Sequence, residues 1–206
     1  MRLFELIRFT VKVNTVPVVL EHLKSVVSET QSDVQLIGCW VSEIGQQNQI
    51  FVLRGFVNEA VRQAERERYL MYSDQFASSY VLDIHIDDYT LFPFLKPLPP
   101  GRYGDFYEFR EYDLVPTGLE PTMMGWRKAI QPRTSDSYSP VYAAFYATSG
   151  RLPRYLHIWP YRSLEQRLDV RTRAVADGVW PPENSGPQIQ TMMSTICRPA
   201  TYSPLR

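Results

Sequence analysis

Phe4-Glu5-Leu6-Ile7-Arg8-Phe9 returns past the midpoint of the chain as Tyr107-Glu108-Phe109-Arg110-Glu111-Tyr112, and each copy is followed by a helical stretch. The match continues at one constant offset. Gly45 aligns with Gly150, Phe56 with Tyr161, Arg62 with Arg167, Arg66 with Arg171 and Arg68 with Arg173, and four of these five pairs are identical, which chance rarely gives. Each copy ends in a strand-like run, Tyr80 to Asp87 and Gln188 to Cys197, then in Leu91-Phe92-Pro93-Phe94 against Tyr202-Ser203-Pro204-Leu205. Between the copies lies Lys96-Pro97-Leu98-Pro99-Pro100-Gly101. Its prolines deny backbone donors to a sheet and its glycine permits a turn, so it reads as a linker. The chain is a tandem duplication, with domains expected at 1–95 and 103–206 and the linker at 96–102.

Within one copy the signals run strand, helix, strand, strand, helix, strand. Val16, Val19, Leu20, Leu23, Val26 and Val27 fall at helical spacing after Pro17. Val34 to Val41 and Ile50 to Phe56 are rich in β-branched and aromatic residues around the turn Gly45-Gln46-Gln47-Asn48. Asn58 and Ser163 sit where helix caps belong, Ser163 and Gln166 have capping-box spacing, and Leu164, Leu168 and Val175 then form an apolar stripe. This βαββαβ order is the ferredoxin-like unit of the α+β class, with both helices on one face of an antiparallel sheet. The other face must be covered, and two tandem copies can cover each other sheet to sheet as a barrel closed within one chain.

Alternation then assigns the strand faces. If aliphatic residues meet the helices, Tyr155, His157 and Trp159 point into the barrel, as do Glu108, Arg110 and Tyr112. Asp83, His85, Glu5 and Arg54 join them by the same rule. Such an inward set is either a satisfied polar network or the lining of a wet cavity for a small organic ligand. In the second reading Arg110 or Arg54 holds an anionic group, and His157, or His85 beside Asp83, moves a proton.

Composition narrows the alternatives. The 22 basic and 22 acidic side chains cancel, which excludes the electrostatic footprint of a nucleic-acid or anionic-membrane binder. Arg2, Glu5 and Arg8 interrupt the start where a signal peptide needs an apolar core, and no run is long and apolar enough for a bilayer. Cys39 and Cys197 lie in apolar runs and read as buried thiols of a reducing, cytoplasmic compartment. His22, His85 and His157 are scattered without metal-ligand spacing, and no phosphate loop or nucleophile elbow occurs, so neither metal nor cofactor is expected. The arginines at 62, 66, 68, 167, 171 and 173 read as solvated helix faces. Tandem fusion satisfies the sheet faces, so any homodimer is expected to use other surfaces.

The stretch Gly38-Cys39-Trp40-Val41-Ser42-Glu43-Ile44-Gly45-Gln46-Gln47-Asn48-Gln49 resembles the signature of the NIPSNAP family, a G-x-W-x-x-E-x-G run leading to a turn that ends in Asn-Gln. Tyr107 to Tyr112 and His157-Ile158-Trp159-Pro160-Tyr161-Arg162-Ser163-Leu164 resemble its opening strand, third strand and helix cap. The first copy departs from the pattern, with Ile7 for the family's Arg and Val52 and Arg54 for its His and Trp. The second has Phe145 for the Trp and Thr148 for the Glu. The resemblance implies the dimeric α/β-barrel fold and adds Trp40 and Glu43 to the candidate ligand-binding residues. Relatives sharing that fold include cofactor-free monooxygenases, cyclases and haem-binding enzymes, so two functions stand open: a cofactor-independent enzyme, or a scaffold with a filled barrel.

Overall fold

The computed structural model describes residues 1–27, 33–71 and 79–206. The first half contributes β1 (Leu3–Val11), α1 (Val16–Val27), β2 (Val34–Ile44), β3 (Gln49–Phe56), α2 (Glu59–Met71) and β4 (Val81–Leu91). The second contributes β5 (Phe106–Leu114), α3 (Leu119–Arg133), β6 (Ala143–Ala147), β7 (Arg154–Tyr161), α4 (Leu164–Ala176) and β8 (Ile189–Pro199). The strands close into one antiparallel barrel in the order β1-β3-β2-β8-β5-β7-β6-β4, so each half is a ferredoxin-like sheet. The halves meet where β2 pairs β8 (Trp40 opposite Pro199) and where β4 pairs β6 (Tyr89 opposite Ala147).

Local chemistry sets the element ends. Asn58 Oδ1 accepts from Val61 N at 3.0 Å and Ser163 Oγ from Gln166 N at 3.1 Å, freeing neither helix from its expected cap. The return bond of the second cap goes one residue further out, from Arg162 N to Gln166 Oε1 at 2.6 Å. Gly45 (φ 121°) and Asn48 (φ 57°) supply the left-handed turn between β2 and β3. Cys39 and Cys197 are both buried free thiols.

The barrel axis is filled, which overturns the expected hollow. Phe4 meets Phe145 at 4.8 Å between ring centroids, Trp40 meets Phe109 at 5.2 Å, and Phe51 meets Phe109 at 5.1 Å, every pair joining one half to the other. Leu6, Leu53, Tyr107, Leu156 and Ile158 belong to the same cluster, and Leu95 and Leu98 pack against it. Leu156 and Ile158, expected against the helices, are therefore inside. The physical reason is that the packed middle of a closed barrel holds no water to solvate a charge, so apolar residues take that face there, and the inward charges Arg8, Asp87, Glu111 and Arg154 pair with one another toward the mouth.

Two helix readings are also corrected. On α4 the exposed residues are Leu168 (66%) and Val175 (61%), whereas Val170 and Ala174 are buried. The stripe that meets the sheet is Arg167, Val170, Arg171 and Ala174, at i, i+3, i+4, i+7. Arg62 is buried, and Arg66, Arg167 and Arg171 reach carboxylates on the sheet, so these four turn toward the sheet rather than away from it. Arg68 and Arg173 pair within their own helices, with Glu65 and Asp169, and Arg62 pairs with Glu59 of its helix as well. Among the described residues no helix is long and apolar enough to cross a membrane.

Candidate functional site

Six of the sequence-selected residues form three directly opposed pairs on neighbouring strands: Glu108 with Trp159, Arg110 with His157, and Tyr112 with Tyr155. The pleat puts all six on one face, as alternation requires. That face is the helix side of the second half, not the barrel interior. Trp126 of α3 lies 4.9 Å from the His157 ring and 6.1 Å from each of Tyr155 and Trp159, and Arg167 and Arg171 of α4 bond Glu108. Glu5 and Arg54 are likewise opposed and face α2, so they too leave the barrel axis. Trp40 is in the filled interior and Glu43 is exposed at the end of β2. Asp83 and His85 do face inward as expected, but at the barrel mouth, where His85 Nε2 meets Asp87 rather than Asp83, at 3.0 Å.

Charge is unbalanced around Glu108. Its Oε1 takes bonds from Arg110 (3.0 Å), Arg167 (2.6 Å), Arg171 (3.4 Å) and Ser194 (2.6 Å), while the buried Oε2 has no partner among the described residues. Burial alone would raise its pKa, but the Arg167 and Arg110 guanidiniums outweigh burial and hold the carboxyl below the usual range. Arg110 also donates Nε to the Tyr112 hydroxyl at 2.6 Å. Arg133, at the end of α3, is 2% exposed and lies 4.3 Å over the Trp159 ring, with a bond to the Ser139 carbonyl at 3.2 Å. It makes no ion pair with a carboxylate among the described residues, and burial lowers its pKa.

His157 has a definite protonation. Burial, then Arg110 and Arg133, push its pKa well below 6.5, so the ring is neutral. The Trp159 indole N–H can only donate and does so to Nδ1 at 2.6 Å, which leaves the proton on Nε2. That Nε2–H is buried and unpartnered among the described residues. Beside it a crevice of about 40 Å³ is walled by Arg110, Arg133, Trp159, Tyr161, Arg171 and Trp180, room for roughly one water. A tetrapyrrole does not fit, since His157 Nε2 carries a proton and sits in a one-water space. The described residues also contain no cluster of His, Cys, Asp and Glu able to hold a metal ion.

The depressed His157 pKa has a consequence for stability. Unfolding restores an ordinary imidazole, which binds a proton as pH falls below about 6.5 while the folded ring does not. Folded stability is therefore expected to fall progressively below that pH. Urea denaturation of the wild type and of His157→Gln across pH 5 to 8 checks this. The variant should show a shallower decline, and equal slopes would contradict a neutral buried His157.

The corresponding surface of the first half is closed by its own ions. Glu5 binds Arg54 and Arg66 (both 2.6 Å), Asp88 binds Arg62 (3.1 Å) and Arg66, and Glu65 binds Arg54 (3.2 Å) and Arg68 (2.9 Å). With Glu59 on Arg62, four carboxylates there answer four arginines, where the second half sets Glu108 alone against Arg110, Arg133, Arg167 and Arg171. Ile7 and Val52 stand at the positions of Arg110 and His157. Sequence reading missed Trp126, Arg133 and Trp180. The first two stand seven apart on α3 with Ile130 between them, a helical face that was legible. Trp180 lies on the irregular segment after α4, where no periodicity could place it.

The profile of the NIPSNAP family matches residues 4–83 and 107–204. Protein NipSnap of Drosophila melanogaster is 25% identical over 179 residues, covering 82% of this chain and 64% of that protein, so the chain spans less than two thirds of that relative. Among solved structures, a candidate monooxygenase of Lactobacillus acidophilus superposes with a TM-score of 0.70 at 10% identity, covering 97% of this chain and 94% of the other. An anthrone oxidase-like protein superposes with a TM-score of 0.60 at 11% identity, covering 98% and 93%. At these identities the likeness to both structures establishes the fold alone.

Proposed function

The chain belongs to the NIPSNAP family, and from that premise we propose that its second half binds a small, planar, anionic organic molecule in the crevice beneath α3 and α4. The buried guanidinium of Arg133, without a carboxylate partner, is the observation that carries the reading. The Trp159 ring and the Ser139 carbonyl offset only part of the cost of burying a charge without a counter-ion, and a bound anion would reduce the rest. The ligand's oxygen would accept from Arg133, Arg110 and the His157 Nε2–H, and its ring would lie between Trp159 and Trp180. Trp180, 4.9 Å from Trp126 and 5.5 Å from Trp159, is half-buried on the segment after α4 and must swing aside to admit a ring.

This changes the role of His157 from that of a base. With Nδ1 taken by Trp159 and the proton on Nε2, it donates to an oxygen on which negative charge rests or develops, as an enolate or phenolate would present. The enzymatic form of the reading is a cofactor-independent reaction through such an oxyanion. The fold likeness to proteins named as a monooxygenase and an anthrone oxidase agrees with it only by analogy. The filled barrel axis favours a second reading, a scaffold that recruits partners through its outer surface. Titration of tryptophan fluorescence with 2-naphthoate, and with neutral 2-naphthalenemethanol as control, separates the two. Binding of the anion should be saturable and weakened at least about tenfold by Arg133→Met, the worth of one charge-assisted hydrogen bond. Equal binding by wild type and variant would remove the crevice reading.

A further inference from the structure

At the open end of the barrel lies a second cavity, about 410 Å³ in volume, that shares no lining residue with the crevice. It spans both halves, with Arg8 and His85 contributed by the first and Arg154 and Thr195 by the second. Its floor is an ion quartet. Asp87 accepts from Arg8 and from Arg154 (2.5 Å), and Glu111 accepts from Arg8 (2.8 Å) with Arg154 at 3.9 Å. Two guanidiniums and two carboxylates cancel. The Nε atoms of Arg8 and Arg154 are nonetheless buried donors without partners among the described residues. Above the floor the wall carries groups that both donate and accept: the Thr10 hydroxyl, held at 3.4 Å by the Gln49 amide, and the amide of Gln46.

We propose that this mouth is a binding site for a neutral, hydroxyl-rich molecule of monosaccharide size. An anion gains little here, because each arginine already faces carboxylates. A cation finds only the exposed Asp83 on the rim, where water and salt screen it. A polyol presents acceptors to the Gln46 and Gln49 amide N–H groups and donors to the Thr10 and glutamine oxygens at once, and the volume lies in the range of small-ligand pockets, about 300–1,000 Å³. Because the wall comes from both halves, an isolated half would not form the site.

The test is a titration of the ¹⁵N-labelled full chain with D-glucose, D-galactose and myo-inositol, with D-glucuronate as the anionic counterpart, read by amide chemical shifts. At least one neutral polyol should bind saturably with a dissociation constant on the order of 1 mM. The shifts should centre on Thr10, Gln49 and His85. Thr10→Val, which keeps the shape of the side chain, should weaken that binding about five- to tenfold, the worth of one hydrogen bond. Gln49→Leu serves the same purpose if that variant does not fold. Arg133→Met should leave it unchanged, so failure of the crevice reading and failure of this one are distinguishable. No saturable response to any of the three polyols, tighter binding of glucuronate, or shifts centred away from the mouth would overturn the proposal.

Discussion

Glu108→Gln is expected to destabilise the protein by about 3–5 kcal/mol, the usual cost of removing one partner from a buried ion cluster. Gln is nearly the same size, so the loss is electrostatic. Glu108 is fully buried and is the sole carboxylate that Arg110, Arg167 and Arg171 share, and without it those three and Arg133 face each other unscreened. The pH dependence follows with a definite sign. The folded carboxyl is held below its ordinary value of 4.5, so its stabilisation is present above that pH and is lost as pH falls through the lowered folded value. Chemical denaturation of wild type and variant at pH 7 and at pH 3 should show the gap closing in acid. Arg167→Met in the Glu108→Gln background should restore part of the loss by removing a surplus cation. A Glu108→Gln protein as stable as wild type would mean that the cluster is open to water.

The duplication and the strand order were legible because they rest on spacing: one offset carries Gly45 onto Gly150 and Arg62 onto Arg167, and Gly45 and Asn48 announce their turn. Membership of one face was legible too, since Glu108, Arg110, Tyr112, Tyr155, His157 and Trp159 do gather. Which side of the sheet that face looks to was not. Period-two alternation is blind to sign, and the rule that helices meet aliphatic residues, which alone orients the face, does not hold here. In this chain the helices present Arg66, Arg167 and Arg171, long apolar stems with charged ends that can cover a sheet and neutralise a buried carboxylate together. That each copy carries both a strand glutamate, Glu5 or Glu108, and an arginine-bearing second helix is the signal in the sequence for that pairing.

The two halves have also diverged in how they use one architecture. At the positions of Arg110, His157 and Trp159 the first half carries Ile7, Val52 and Arg54, and its Glu5, Glu65 and Asp88 neutralise their neighbours without outside help. Self-compensation of this kind stabilises a domain and leaves no demand for a ligand. The second half is the reverse: four guanidiniums and one carboxylate form an arrangement that an isolated folding unit would not favour. The crevice proposed above would therefore take one anion per chain.

Glu111→Gln is the second large effect, again about 3–5 kcal/mol, and it acts on the joint between the halves. Arg8 and Glu111 hold equivalent places in the two copies, Arg8 in Phe4-Glu5-Leu6-Ile7-Arg8-Phe9 and Glu111 in Tyr107-Glu108-Phe109-Arg110-Glu111-Tyr112, yet they bond each other at 2.8 Å. Equivalent residues meet where a two-fold relation would bring identical side chains together, and identical charges there would repel. The opposite signs therefore suit the pairing of unlike halves and oppose the pairing of like ones. Glu111 is buried beneath Arg8, Arg154 and the Tyr89 hydroxyl, which lies at 3.4 Å, so its loss leaves two guanidiniums over Asp87 alone. Adding Arg8→Met to Glu111→Gln returns the joint to one cation and one anion, Arg154 and Asp87, at 2.5 Å. The double variant should be more stable than Glu111→Gln by at least about 1 kcal/mol, a coupling typical of residues in one buried network. Urea denaturation of both single variants and the double variant measures it, and additive losses would show that Arg8 and Glu111 do not act as a pair.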